Sequence, residues 1–200
     1  MKILTNSRIW CAVAAAALCI GAASSSAAPM SVNGIAGTGP VATGGGSFND
    51  PADGNIRNFT FSVIDLGDGA VGGQGQLVIP ATGQIIHWAT NSYLFDDDGS
   101  LIVTGTITES EGPAPPVGWT VIFAVQDNGK DGSLDEMTFT NAAPPELVAP
   151  NGDTFPFITV QDLLDYFEAA FGLPSDPSTL FLTRVLSPYA PIVTGNITIH

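Results

Sequence analysis

The chain has 200 residues, with 5 Lys+Arg against 19 Asp+Glu and a formal net charge of −14 at pH 7. That imbalance excludes a protein that works by neutralising phosphates, because nucleic-acid binding draws on Lys and Arg. The length suits one domain, 44% hydrophobic residues are enough to fill a core, and 23 Gly with 15 Pro point to many turns.

Residues 1–27 read as a secretory signal. Lys2 and Arg8 give the basic start, Ile9 to Gly21 is apolar, and small residues follow through Ala27. The apolar run is too short for a bilayer, which takes about 20 residues, so no transmembrane segment is expected. Cleavage after Ala27 removes Cys11 and Cys19, leaving a cysteine-free chain without disulfides or thiolate ligands. The expected location is extracellular or periplasmic. Only Arg57, Lys130 and Arg184 remain to oppose the acids.

Residues 28–55, with Gly44-Gly45-Gly46, form a Gly- and Ser-rich lead-in expected to be flexible or an irregular edge. The body, 56–200, then shows short strands. From Arg57, inward Phe59, Phe61 and Val63 alternate with Asn58, Thr60 and Ser62. Further strands are expected at Gln76–Ile79, Gln84–Thr90, Leu101–Thr108, Trp119–Gln126, around Met137 and Phe139, and at Ile192–Ile199. Leu180–Leu186 is expected as another. A helix interrupts them at 159–172. Thr159 and Asp162 form a capping box, Val160, Leu163, Leu164, Phe167 and Phe171 make one apolar stripe, and Gly172 followed by Pro174 ends it. The expected fold is all-β: an antiparallel β-sandwich, jelly-roll-like or a partly closed barrel, with one inserted α-helix. Val103–Thr108 and Val193–Thr198 match at five of six positions, which is best read as a strand type shared within one sandwich.

Few residues could carry chemistry. Asp127, Asp131 and Asp135 are spaced four apart in a Gly-containing loop between strands. Calcium takes six to eight oxygens, and such a loop could supply some of them. A solvated hairpin turn is the plainer reading, since Asn-Gly and Asp-Gly serve turns with positive φ. Asp96-Asp97-Asp98-Gly99 is read as a turn. Trp88, Tyr93 and Trp119 could offer rings to a sugar, although Trp119 opens an apolar face that favours core packing. His87 and His200 are the only histidines, too few for a zinc site without thiolates.

Ala42-Thr43-Gly44-Gly45-Gly46, Phe59-Thr60-Phe61-Ser62-Val63, Val103-Thr104-Gly105, Val125-Gln126-Asp127-Asn128-Gly129 with Asp135, and Gly195-Asn196-Ile197 occur in that order. Taken together they resemble the post-COAP type of secreted bacterial β domain. The resemblance implies a small exported β-sandwich-like unit of uncharacterised activity, and it brings no catalytic residues with it.

The expectation is therefore an exported, acidic, non-enzymatic domain, surface-structural or ligand-binding, stabilised by calcium if the Asp127–Asp135 loop gathers its carboxylates. A cell-surface or extracellular polymer is the kind of partner expected. A carbohydrate-binding module and a secreted hydrolase using scattered acids and His87 are the alternatives.

Overall fold

The computed structural model describes residues 38–50, 53–129, 133–138, 141–182, 185–186 and 189–200. The expected export signal, residues 1–27, and the first part of the lead-in lie outside these, as do Asp131 and Phe139.

The elements in chain order are β1 (Gly39–Asn49), β2 (Ile56–Gly67), β3 (Ala70–Gly72), β4 (Gln74–Ile79), β5 (Gln84–Phe95), β6 (Leu101–Glu111), β7 (Thr120–Gln126), β8 (Glu136–Met137) and β9 (Asn141–Ala143). They are followed by β10 (Glu146–Val148), β11 (Thr154–Pro156), α1 (Val160–Phe171), α2 (Ser178–Leu182) and β12 (Ala190–Ile199). One sheet runs β1-β12-β8-β7-β6-β5-β4-β2-β3, with β9 beside β7, and β10 pairs with β11 alone. A further β1–β2 pairing brings the sheet round onto itself. Each strand pairing is antiparallel. The fold is all-β, sandwich-like and closed along one seam, with α1 inserted at the expected place.

Two expectations are corrected. The glycines of 44–46 do not make an irregular edge. They sit in β1, which pairs with β12 on one side and β2 on the other. A Cβ on Gly44 would run into the Phe61 ring, and one on Gly46 would meet the Thr194 carbonyl. Glycine is needed there for close approach, a demand that composition alone reads as flexibility. The segment expected as a strand at Leu180–Leu186 instead begins inside α2, where Thr179 and Leu180 are buried.

Two cores share β6 and β7. Their inward residues Leu101, Val103, Ile107, Val121, Phe123 and Val125 join the main core with Phe48, Phe59, Phe61 and Trp88. Phe123 lies 5.5 Å from both Phe61 and Trp88, edge to face in each case, so opposite walls touch and side chains fill the interior. The outward residues Ile102, Ile122 and Ala124 meet Val160, Leu163, Leu164 and Phe167 of α1 in a second core. Burial on both faces explains why these two strands read as nearly continuous apolar runs.

A chain of hydroxyls seats α1. The Val160 amide donates to Ser92 Oγ at 3.0 Å. Ser92 Oγ lies 2.8 Å from Thr104 Oγ1, which donates to the Ile158 carbonyl at 3.0 Å. Thr120 Oγ1 donates to the Phe157 carbonyl at 2.5 Å. The helix starts with the expected capping box at Thr159 and Asp162, and Gly172 ends it at φ 66°. Near the far end of β2, the buried Arg57 reaches Asp50 at 2.9 Å and Asp53 at 2.8 Å. The Asp53 carboxyl titrates below its ordinary value, first through the Asn55 amide and then through Arg57.

Trp88 owes its place to its neighbours. Gly75 on β4 stands opposite it, and Gly105 lies beside it on β6; a Cβ on either would collide with the indole. Gly75→Ala and Gly105→Ala are each expected to cost about 1–3 kcal/mol through overpacking. Urea unfolding should show this as a lower midpoint with an unchanged slope.

Candidate functional site

The loop between β7 and β8 was the foremost candidate for chemistry. Strand β8 is two residues long and pairs with β12 only at Ala190 and Pro191. The chain just before it extends the contact, with the Ile192 amide donating to the Asp135 carbonyl at 2.8 Å. Beyond that point, among the described residues, the β12 amides facing β8 have no strand beside them, and carboxylates take the place of strand carbonyls. Asp135 Oδ2 accepts from the Ile197 amide at 2.7 Å, and Asp127 Oδ2 accepts from the Ile199 amide at 3.1 Å.

The other oxygen of each carboxylate folds the loop itself. Asp135 Oδ1 accepts from the Asn128 amide at 3.1 Å and Asp127 Oδ1 from the Gly129 amide at 2.9 Å. Asn128 Nδ2 donates to the Leu134 carbonyl at 2.7 Å. Asp135 is 8% exposed, so its three contacts, to the Ile192, Ile197 and Asn128 amides, are made largely away from water. Hydrogen bonds with one charged partner are about twice as strong as neutral ones. Asp131, the third residue of the candidate calcium set, lies outside the described residues. Among the described residues no group of three or more His, Cys, Asp or Glu is arranged to hold a metal ion.

The three aromatic candidates do not form a platform. Trp88 is 1% exposed and enclosed in the main core, so it has no face to offer a sugar; this part of the expectation is corrected. Among the described residues its Nε1 has no hydrogen-bond partner. Tyr93 and Trp119 are half-buried and pack against the same core. The Tyr93 hydroxyl donates to Asp65 at 3.1 Å, and its ring meets Phe95 edge to face at 6.0 Å. Trp119 is set apart, since Tyr93 pairs with Val103 while the Trp119 carbonyl takes the Ile107 amide. His87 stands on the outer face, its Nε2 3.1 Å from Gln76 Nε2, and opposite Glu109 in the register.

The sequence left one gathering of ionisable groups unseen. The Asp96–Ser100 turn is built as expected, with the Ser100 amide donating to Asp98 and the Asp97 amide to Asp96. Burial raises the Asp96 carboxyl above its ordinary value, and the nearby carboxylates of Asp98, Asp176 and Asp97 add to this. Burial also pushes Tyr189 up to about 12, with Asp98, Asp96 and Glu136 adding to it and Ser100 opposing. Asp176 and Tyr189 come from far along the chain, so no local pattern announced them.

Two outcomes follow. Asp135→Ala leaves the Ile197 and Asn128 amides without their acceptor and is expected to cost about 1–3 kcal/mol. Amide exchange at Ile197 should speed up beyond the general loss of stability, and Asp135→Asn should recover part of the loss. All three tyrosines, Tyr93, Tyr166 and Tyr189, titrate above the ordinary value of 10.0, each chiefly through burial. The folded chain therefore keeps phenolic protons that the unfolded chain gives up. This contribution to stability is full below pH 10 and is lost as pH rises towards about 12. Alkaline melts should show the decline, and Tyr189→Phe should reduce it.

No family model matches the chain, and no match was found among curated proteins or solved structures.

Proposed function

We propose that this is an exported, non-catalytic β domain that serves as a structural or binding unit outside the cytoplasm. The observation that carries the reading is the use made of Asp127 and Asp135. These are two of the three carboxylates the sequence singles out for chemistry, and all four of their oxygens accept backbone amides. A filled interior around Phe61, Phe123 and Trp88 supports it as well. The basic, apolar and small-residue parts of residues 1–27 support export. The ordered motifs that resemble post-COAP type domains favour the same kind of protein.

Calcium stabilisation draws no support from the described part of the loop. The carboxylates already have partners that hold the loop in shape. Melting is therefore expected to be the same in millimolar calcium and in chelator; a rise with calcium would show a ligand bound to the folded state and restore that proposal.

The test of the main reading has two arms. Expressed with its first 27 residues in a bacterial host, the protein should be recovered from an extracytoplasmic fraction with a mass that begins at Ala28. Purified, it should turn over nothing on a panel of esters, glycosides and phosphoesters. Retention of residues 1–27 overturns export. Turnover that disappears in His87→Ala overturns the non-catalytic reading in favour of the hydrolase.

A further inference from the structure

Strands β12, β1, β2 and β4 together present an outward face without charge. Arg57 and Asp65 are the charged residues in these four strands. Arg57 is 3% exposed and turned inward, and Asp65 is half-buried and held by the Gly67 amide and the Tyr93 hydroxyl. The centre of the face is a register of small polar groups. Thr43 stands between Ser62 and Thr198, and Ser47 between Asn58 and Thr194. Gly45 lies between Thr60 and Asn196 and keeps the middle low.

Aliphatic side chains stand at both ends of this polar centre. Ile56, at one end of β2, is 52% exposed, while Ile64 and Leu66, near the other end, are 37% and 56% exposed. Val193, the extra residue where the β1–β12 register shifts, is 60% exposed. The centres of interfaces are depleted of charge, and this face shares that depletion. It displays no aromatic ring for a sugar to stack on. Its aliphatic rim gains from leaving water, which a hydrated polysaccharide surface would not provide.

We propose that this face binds a second copy of the same chain. Two molecules with so large an excess of Asp and Glu over Lys and Arg repel one another wherever their acidic turns meet. The uncharged face lets them approach without opposing like charges. At about 4.8 Å between strands and about 3.3 Å per residue along them, it measures roughly 19 Å by 26 Å. That is about 500 Å² in projection, near the low end of interfaces below about 1,200 Å² in total, so the pair should be weak and reversible.

Sedimentation velocity on the purified protein, from about 10 μM to about 1 mM, tests this across the range where such weak pairs form. A concentration-dependent dimer is expected, strengthened by added salt because screening weakens the overall repulsion. Thr60→Glu and Thr43→Glu, which put a carboxylate at the centre of each facing surface, should each weaken it at least tenfold. Thr108→Glu, exposed on β6 away from the face, should leave it unchanged. Circular-dichroism melts confirm which variants are folded, and either of the two face variants alone is sufficient. The proposal is overturned if the protein is monomeric throughout, or if Thr108→Glu weakens the pair as much as the face variants do. A monomer that instead sediments with insoluble cellulose or chitin, and loses this in Thr60→Glu, would assign the face to a neutral polysaccharide and likewise overturn the dimer.

Discussion

Hydrogen bonds from the Ile197 and Ile199 amides to the carboxylates of Asp135 and Asp127 carry the join between β12 and the β7–β8 side of the sheet beyond the two residues that β8 itself pairs. β12 has a full partner in β1 but only two residues of β8 on its other side. An exposed row of amides there would be an open edge, ready to pair with another chain. A carboxylate is a good substitute for a strand, because it accepts strongly and has a second oxygen free to shape the loop that carries it. The loop is therefore part of the wall, and its acidity serves the architecture.

The same economy governs the rest of the fold. β6 and β7 are covered on both faces, so their outward hydroxyls cannot turn to water. Thr104 and Thr120 give their protons to the carbonyls of Ile158 and Phe157, and Ser92 takes the Val160 amide. The buried polar groups thus become the attachment of α1. Hydrogen bonds linked in this way polarise one another in a low-dielectric setting, so the seat of the helix is more specific than apolar contact alone would make it. Charge is sorted as well. Most carboxylates lie in turns and on the exposed side of α1, whereas β1, β12 and β4 carry none.

The periodic parts of the chain were legible in the sequence. The alternation in 57–63, the apolar runs of β6 and β7, and the capping box with its stripe and closing Gly172 gave strands and helix close to their observed limits. Position-specific demands were not legible. Gly44 and Gly46 look like a flexible linker until Phe61 and the Thr194 carbonyl are seen against them. Trp88 looks like a surface ring in an alternating strand until Gly75 and Gly105 make room for it. Asp127 and Asp135 look like metal ligands because their partners are backbone amides 72 and 62 residues away, and a backbone amide leaves no mark in a sequence. The repeated Val-Thr-Gly pattern makes the same point. Gly105 admits an indole, whereas Gly195 adopts φ 106° to pass close to Gly45.

The closing strand also sets an order of events. β12 joins β1 through pairs such as Ser47 with Thr194, which are 147 residues apart. Contacts of such separation are made late, after most of the loop-closure entropy has been spent, and they slow folding. Until β12 arrives, the flanks of β1 and of the β7–β8 loop stay unsealed. A chain in which β12 has not yet paired is a half-built trough, open along the side where Asp127 and Asp135 wait for the Ile199 and Ile197 amides, and it locks only when that stave drops in.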